Sequence, residues 1–295
     1  MKNKHAGVHI LGTVLFLVTV AIVAYAVFYL SGRTPGLSHA AGWRKTGTRI
    51  DEDFGPWVRI EQERRVHEAY DSLVVRNISG RIEVKGWDKD YSLVMYTKRG
   101  PFAKELEIVT EVDNGTLTVR PAYRERMRTT LTSVSFDILV PRGIESIQAE
   151  SASGSIGLSG LGSSVDQDLK TVSGRIQTEG ARNLSAHTTS GSIRFRFSGS
   201  TLSARAVSGS VHGDIVDFTP GGTGELSTVS GSVRLSAYEG LDARIELKSK
   251  SGSVASAFPL QKTQGKNNEL SGTVGSGLSS LTVKTMSGSI RLDML

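Results

Sequence analysis

No cysteine occurs in the 295 residues, which excludes disulfides, cysteine-ligated zinc, iron–sulfur clusters and thiol catalysis. Proline is scarce too, with 7 residues against 33 glycines, so the chain has no proline-rich linker and makes many tight turns. Several catalytic signatures are missing. There is no G-x-S-x-G elbow, no P-loop and no dinucleotide-binding glycine fingerprint, and HEAYD at His67 lacks the second histidine of H-E-x-x-H. The net charge of +6 is too mild to imply nucleic acid. What is present is ordinary globular composition, 38% hydrophobic and 22% charged, at a length that allows one large or two small domains.

The first thirty residues carry no acid, and within them residues 10–30, ILGTVLFLVTVAIVAYAVFYL, form an uncharged run of 21. That matches the roughly 20 residues a helix needs to cross a bilayer. Signal-peptide cores are shorter, roughly 7 to 15 residues, and end near a small-residue cleavage site; here the nearest, Ser38-His39-Ala40, lies well past the run. The expectation is an uncleaved single membrane-spanning helix over 10–30 behind a short flank, residues 1–9. Residues 31–66 mix Gly, Pro and charge without a sustained period and read as a linker or stalk.

Beyond the stalk one motif recurs. Ser-Gly followed by Ser or Arg and then Ile or Val occurs at Ser79-Gly80, Ser153-Gly154, Ser173-Gly174, Ser190-Gly191, Ser208-Gly209, Ser230-Gly231, Ser251-Gly252 and Ser287-Gly288, with a period of about 20 residues in the array. A nucleophile is needed once, so a motif repeated in this way builds a structure. Before the glycine, alternate residues are apolar or small, as in Leu281, Val283, Thr285 and Ser287, and so line one face of a strand. After it the apolar positions shift by one, to Ile290 and Leu292, and both sets point inward if the chain bends at Ser-Gly. Glycine reaches the backbone angles such a corner needs; the serine before it is expected to point inward and hydrogen-bond backbone at the corner.

Each unit thus reads strand, corner, strand, loop, and cannot bury its apolar face alone. The predicted fold is all-β, a β-solenoid or β-helix-like array of rungs over residues 67–295, preceded by the membrane helix. Residues 146–295 hold the regular repeats. Residues 67–145 form a less regular hairpin and cap region, in which Asp113-Asn114-Gly115 marks a hairpin turn. Near the other end ELSGTVGSGLSS breaks the register and reads as a glycine-rich loop.

The serial T-V-S-G units, the LVPRG strand end just before the array and the closing VKTMSGSIRL resemble the bacterial family of unknown function labelled "putative adhesin", over about residues 67–295. The resemblance implies a β-solenoid-like envelope domain, often attached to a membrane span, and no established catalytic residues. With the short N-terminal flank it also decides the expected orientation, because Lys2 and Lys4 nearly balance Arg33, Arg44 and Lys45 across the apolar run. The large domain is expected outside the cytoplasm, in a periplasm or at the cell surface.

Charge on the outward ladders stands out. Four residues before the glycine stand Arg76, Glu150, Lys170, His187, Arg205, Ser227, Lys248 and Lys284; three after it, Arg194, His212, Arg234 and Arg291 recur. Stacked at a strand spacing of roughly 4.8 Å, Arg76, Lys170, Arg194, Arg205, Arg234, Lys248, Lys284 and Arg291 make candidate basic stripes for an anionic polysaccharide or lipid headgroups, with no paired acid at the same position. Such charges also guard sheet edges against aggregation. The outward acids Glu150, Glu179, Asp214 and Asp293 do not pair by register, so no catalytic, metal-binding or cofactor-binding residue is assigned. The expected function is a membrane-anchored, non-enzymatic envelope module for adhesion or binding of anionic envelope polymers, adding weak contacts rung by rung. The alternatives are a sensory or regulatory envelope-stress protein acting through a partner and, third, a polysaccharide-active enzyme.

Overall fold

A period-two pattern buries every second side chain of a strand, and a corner that keeps the apolar set inside wraps the chain around its own core. The computed structural model describes residues 58–123, 132–262 and 268–295, and among them the regular elements are all strands. They are β1 (Val58–Val66), β2 (Ser72–Ser79), β3 (Ile82–Trp87), β4 (Ser92–Gly100), β5 (Glu107–Asp113), β6 (Thr116–Ala122), β7 (Ser133–Pro141), β8 (Ser146–Ser153), β9 (Ile156–Ser159), β10 (Asp166–Ser173) and β11 (Ile176–Glu179). There follow β12 (Asn183–Ser190), β13 (Ile193–Ser208), β14 (Val211–Ser230), β15 (Val233–Ala237), β16 (Ala243–Ser251), β17 (Val254–Ser256), β18 (Gln261–Lys262), β19 (Glu269–Val274), β20 (Ser279–Ser287) and β21 (Ile290–Met294).

The strands form a coil with two faces. Strands that enter a Ser-Gly corner make the first face, where β6, β2, β8, β10, β12, the second halves of β13 and β14, then β20 and β16 pair in parallel. Strands that leave the corner make the second face, in the order β7, β3, β9, β11, the first halves of β13 and β14, β15, β21 and β17. The long strands β13 and β14 cross from the second face to the next rung of the first, with register shifts at Phe197/Ser198 and Gly199/Thr201 marking the bend. Phe197 and Phe218 meet edge to face there, 6.0 Å apart.

Spatial order departs from chain order at one place. The last repeat, β20 and β21, lies between β14 and β16 on the first face and between β15 and β17 on the second. The closing segment therefore inserts into the array, and the repeat of Gly252 ends it.

Between the faces the buried ladders Leu73, Ile147, Leu184, Leu202 and Leu281 and Ile82, Ile156, Ile176, Ile193, Val211, Val233 and Ile290 form the core. Burying one such side chain stabilises by about 1.5–3 kcal/mol. A polar exception is internally satisfied: on the rung of β10 and β11, buried Gln167 accepts from Thr178 and donates to the Gly180 carbonyl.

Antiparallel strands cover the ends. β4 pairs with β7 and β1 with β4; β5 pairs with β6. The β5–β6 turn holds Asn114 at φ 45° and Gly115 at φ 74°, the left-handed pair of a tight hairpin. β1 lies inside the stretch read as linker, because VRIEQERRV is an exposed edge strand with no apolar period to show; its charges suit an edge. The presumed glycine-rich loop likewise contains β19, which adds antiparallel to β16 and carries β18. Residues 1–57, with the predicted membrane helix over 10–30, lie outside the described residues, among which no helix is long and apolar enough to cross a membrane.

Candidate functional site

Ser-Gly corners stack directly on one another. Every corner glycine except Gly252, on the last rung, donates its N–H to the serine carbonyl of the next rung, as from Gly154 to Ser173 at 3.0 Å and from Gly209 to Ser230 at 3.0 Å. A Cβ on Gly154, Gly174, Gly191, Gly209, Gly231, Gly252 or Gly288 would collide with the neighbouring corner glycine's carbonyl, and on Gly80 with that of Val134. Backbone proximity reserves these positions for glycine, and at Gly80, Gly209, Gly231, Gly252 and Gly288 a positive φ, 156° at Gly231, adds to it.

The serines behave differently from expectation. Ser153, Ser173, Ser190, Ser208, Ser230, Ser251 and Ser287 are exposed, and Ser79 is half-buried. At several corners the inward donor is instead the residue two places earlier: Thr171 bonds the Gly154 carbonyl at 3.2 Å, Ser249 that of Gly288 at 2.9 Å and Thr285 that of Gly231 at 3.2 Å. Asn77 serves the first corner, donating to Val134 at 2.7 Å. Paired registers skip one residue, from Thr188 to Ser190 and from Thr171 to Ser173, so alternation breaks before the serine and turns it outward.

Outward charges on the first face line up as Arg76, Glu150, Lys170, His187, Arg205, Ser227, Lys284 and Lys248. Acids reach these bases mostly from beside the column rather than from within it. Arg76 meets Glu150 at 3.5 Å, Lys170 meets Asp168 at 2.6 Å, Arg205 meets Glu225 at 2.8 Å, Lys284 meets Glu246 at 4.0 Å and Lys248 meets Glu269 at 3.5 Å. The signal was present in Asp168-Leu-Lys170, where residues two apart share a face; Glu246 shares a face with Lys248 in the same way but meets Lys284 on the neighbouring strand. Burial, then Arg205 and Lys170, push the His187 pKa down, with Asp168 opposing.

On the second face the corresponding column runs Asp137, Glu83, Gly157, Gln177, Arg194, His212, Arg234, Arg291 and Ala255. Four bases thus occupy consecutive rungs. Arg291 grips Asp293 through its Nε, 2.8 Å from each carboxylate oxygen. Arg194 and Arg234 are exposed and make no ion pair among the described residues. Half-buried His212 sits between them; burial first, then both arginines, lower its pKa, and its Nδ1 is buried without a hydrogen-bond partner. Beside this column stand Ser192, Ser210, Ser232 and Ser289 on one side and Arg196, Asp214, Ser236 and Asp293 on the other.

A family model described as Toastrack DUF4097 matches residues 63–293. The chain belongs to that family. No curated protein matches it. Among solved structures, a "putative adhesin" from Bacteroides fragilis is 14% identical, covers 80% of this chain and 97% of its own, and superposes with a TM-score of 0.45. A "putative cell adhesion protein" from Clostridium sporogenes is 12% identical over 81% of this chain and all of its own, at 0.37. A "putative lipid binding protein" from Parabacteroides distasonis is 16% identical over 79% and 96%, at 0.34. The family match carries the assignment.

One groove indents the second face of this Toastrack coil. About 350 Å³ in volume, it opens where Gly157 leaves the column without a side chain, and Glu83, Arg175 and Gln177 flank it. Two acids do meet on adjacent rungs, Glu83 and Asp137, but Arg81 lies against both, at 3.9 and 2.8 Å. Glu179, Asp214 and Asp293 share one column, separated by Arg196 and Ser236. No group of three metal-ligating side chains occurs among the described residues.

Proposed function

We propose that this Toastrack protein is a non-enzymatic, membrane-anchored module of the cell envelope that binds anionic envelope polymers along its second face. The observation that carries this reading is the run of Arg194, His212, Arg234 and Arg291 on four consecutive rungs, two of the arginines without an acid partner among the described residues. Guanidinium groups suit oxyanions because their planar fork donates in pairs, and regular spacing lets contacts add along a repetitive ligand. On the first face, anions would have to displace bound carboxylates. The apolar run at 10–30 supports the anchor.

The test is co-sedimentation of the full chain, in detergent micelles, with polygalacturonate and with polyphosphate across a salt series. Binding that weakens steeply with salt, and that is lost on replacing Arg194 and Arg234 by Gln, supports the reading. Absence of binding to either polymer at low salt overturns it.

A further inference from the structure

His212 is stacked in register between Arg194 and Arg234, so any oxyanion bridging those arginines lies over its ring. The charged groups that face it are Arg194 and Arg196 on β13, Arg234 on β15 and Asp214 on its own strand, where Asp214 stands opposite Arg196. Ser192, Ser210 and Ser232 add hydroxyls on the flank. Within roughly 10 Å, two rung spacings, two guanidinium groups and one imidazole converge with no acid in their column.

We propose that Arg194, His212 and Arg234 form a proton-coupled oxyanion site, in which a phosphate, sulfate or carboxylate group of the polymer lodges across three rungs and His212 takes up a proton from solvent as it binds. The proposal rests on the reading of the second face as the polymer-binding surface and adds a definite residue and a pH dependence to it. In the free protein two neighbouring cations and partial burial oppose a third positive charge. The unpartnered Nδ1 adds to this, because an imidazolium carries a donor on both nitrogens whereas the neutral ring can leave one bare. A bound oxyanion reverses the electrostatic balance: its negative charge offsets the two arginines and so favours imidazolium. No ion pair at Arg194 or Arg234 has to be broken first.

Linkage sets the sign. If the bound state raises the His212 pKa above its value in the free protein, affinity rises as pH falls through that interval, by about tenfold for each unit of difference. His187 supplies the control, since it too lies between bases, Lys170 and Arg205, but both of these are paired with acids.

The experiment titrates the full chain in micelles with polyphosphate and with polygalacturonate at about pH 5 and about pH 8, in buffers of different protonation heat. Proton uptake on binding is expected, with tighter binding at the lower pH. His212→Gln should remove most of that difference and keep the binding seen at the higher pH, while His187→Gln behaves as the parent. Response to polyphosphate alone, or to polygalacturonate alone, identifies the oxyanion class. In parallel, an NMR titration of the parent follows the His212 ring, whose pKa should rise when polymer is present. Binding without proton uptake, a pH dependence that survives His212→Gln, or a ring pKa unmoved by a bound polymer overturns the coupling alone. Failure of the parent to bind either polymer at either pH overturns the underlying reading with it.

Discussion

The two faces of the coil are built by the same repeats, and counting residue types at one position makes both look basic. They differ in what stands next to the bases. On the first face the neighbouring column supplies Asp168, Glu225 and Glu246, and the adjacent rungs supply Glu150 and Glu269, so Arg76, Lys170, Arg205, Lys248 and Lys284 are paired. On the second face Arg194 and Arg234 are left to solvent. A surface ion pair contributes little to stability, roughly 0–1 kcal/mol, yet it decides whether a base is available to a ligand. Charge on a repeat surface has to be read in two dimensions.

The most damaging way to break the comparison is at the corner that joins the faces. Gly231→Ala places a Cβ on the Gly209 carbonyl at φ 156°. It should cost roughly 4 kcal/mol or more, seen as a large drop in Tm with both faces lost together. Gly157→Ala, whose Cβ meets the movable carboxylate of Glu83, should cost less than about 1 kcal/mol. Equal losses would refute the backbone-stacking account.

Ligand binding sharpens the contrast next. The double variant Arg194→Gln, Arg234→Gln should raise the Kd for polyphosphate at least about tenfold, or about 1.4 kcal/mol. Arg205→Gln with Lys284→Gln should change it by less than about threefold, and a similar loss on both faces would erase the distinction.

Corner donors offer a comparison within one ladder. Thr285→Val removes the bond to Gly231 and should cost about 1–2 kcal/mol by denaturant unfolding. Thr188→Val removes a hydroxyl that is buried without a partner and should be neutral or stabilising.

The smallest effect concerns one first-face pair. Arg182 grips both Asp166 oxygens, at 2.9 and 2.7 Å, and with the Asn183 amide holds that carboxyl below the usual range. Because the folded pKa is depressed, the contribution is complete above the unfolded carboxylate value, about 4, and disappears as pH falls through the folded one. With the side chains 39% and 51% exposed, solvent screening keeps it under about 1 kcal/mol. Asp166→Asn should flatten the stability profile between about pH 6 and about pH 3 by that amount; a larger change would mean other partners.

Much of the array was legible because alternation and glycine corners are local. Leu184 and Ala186 before the corner and Ile193 and Phe195 after it are buried as their spacing requires. Ser190 was misread because the bend begins one residue before it, a shift that leaves no mark in residue type. β1 and β19 were missed because they form by hydrogen bonding to the edges of β4 and β16, with little side-chain burial of their own. Of the candidate site, Arg194, Arg234 and Arg291 were recognisable by position, whereas the role of His212 and the gap at Gly157 depend on what lies on the neighbouring rungs.

By itself the sequence determined that this chain coils, where it turns, and which apolar side chains go inside, since those follow from the period of a strand and the steric freedom of glycine. The tertiary structure alone decided that the last repeat inserts ahead of the repeat of Gly252, that Lys284 neighbours Ser227 and Lys248, and that, among the described residues, the second-face column keeps two arginines without an acid while the lysines and arginines of the first-face column are paired. Those outcomes depend on which strands pair across long separations, and hydrogen bonding between backbones carries no label of chain order.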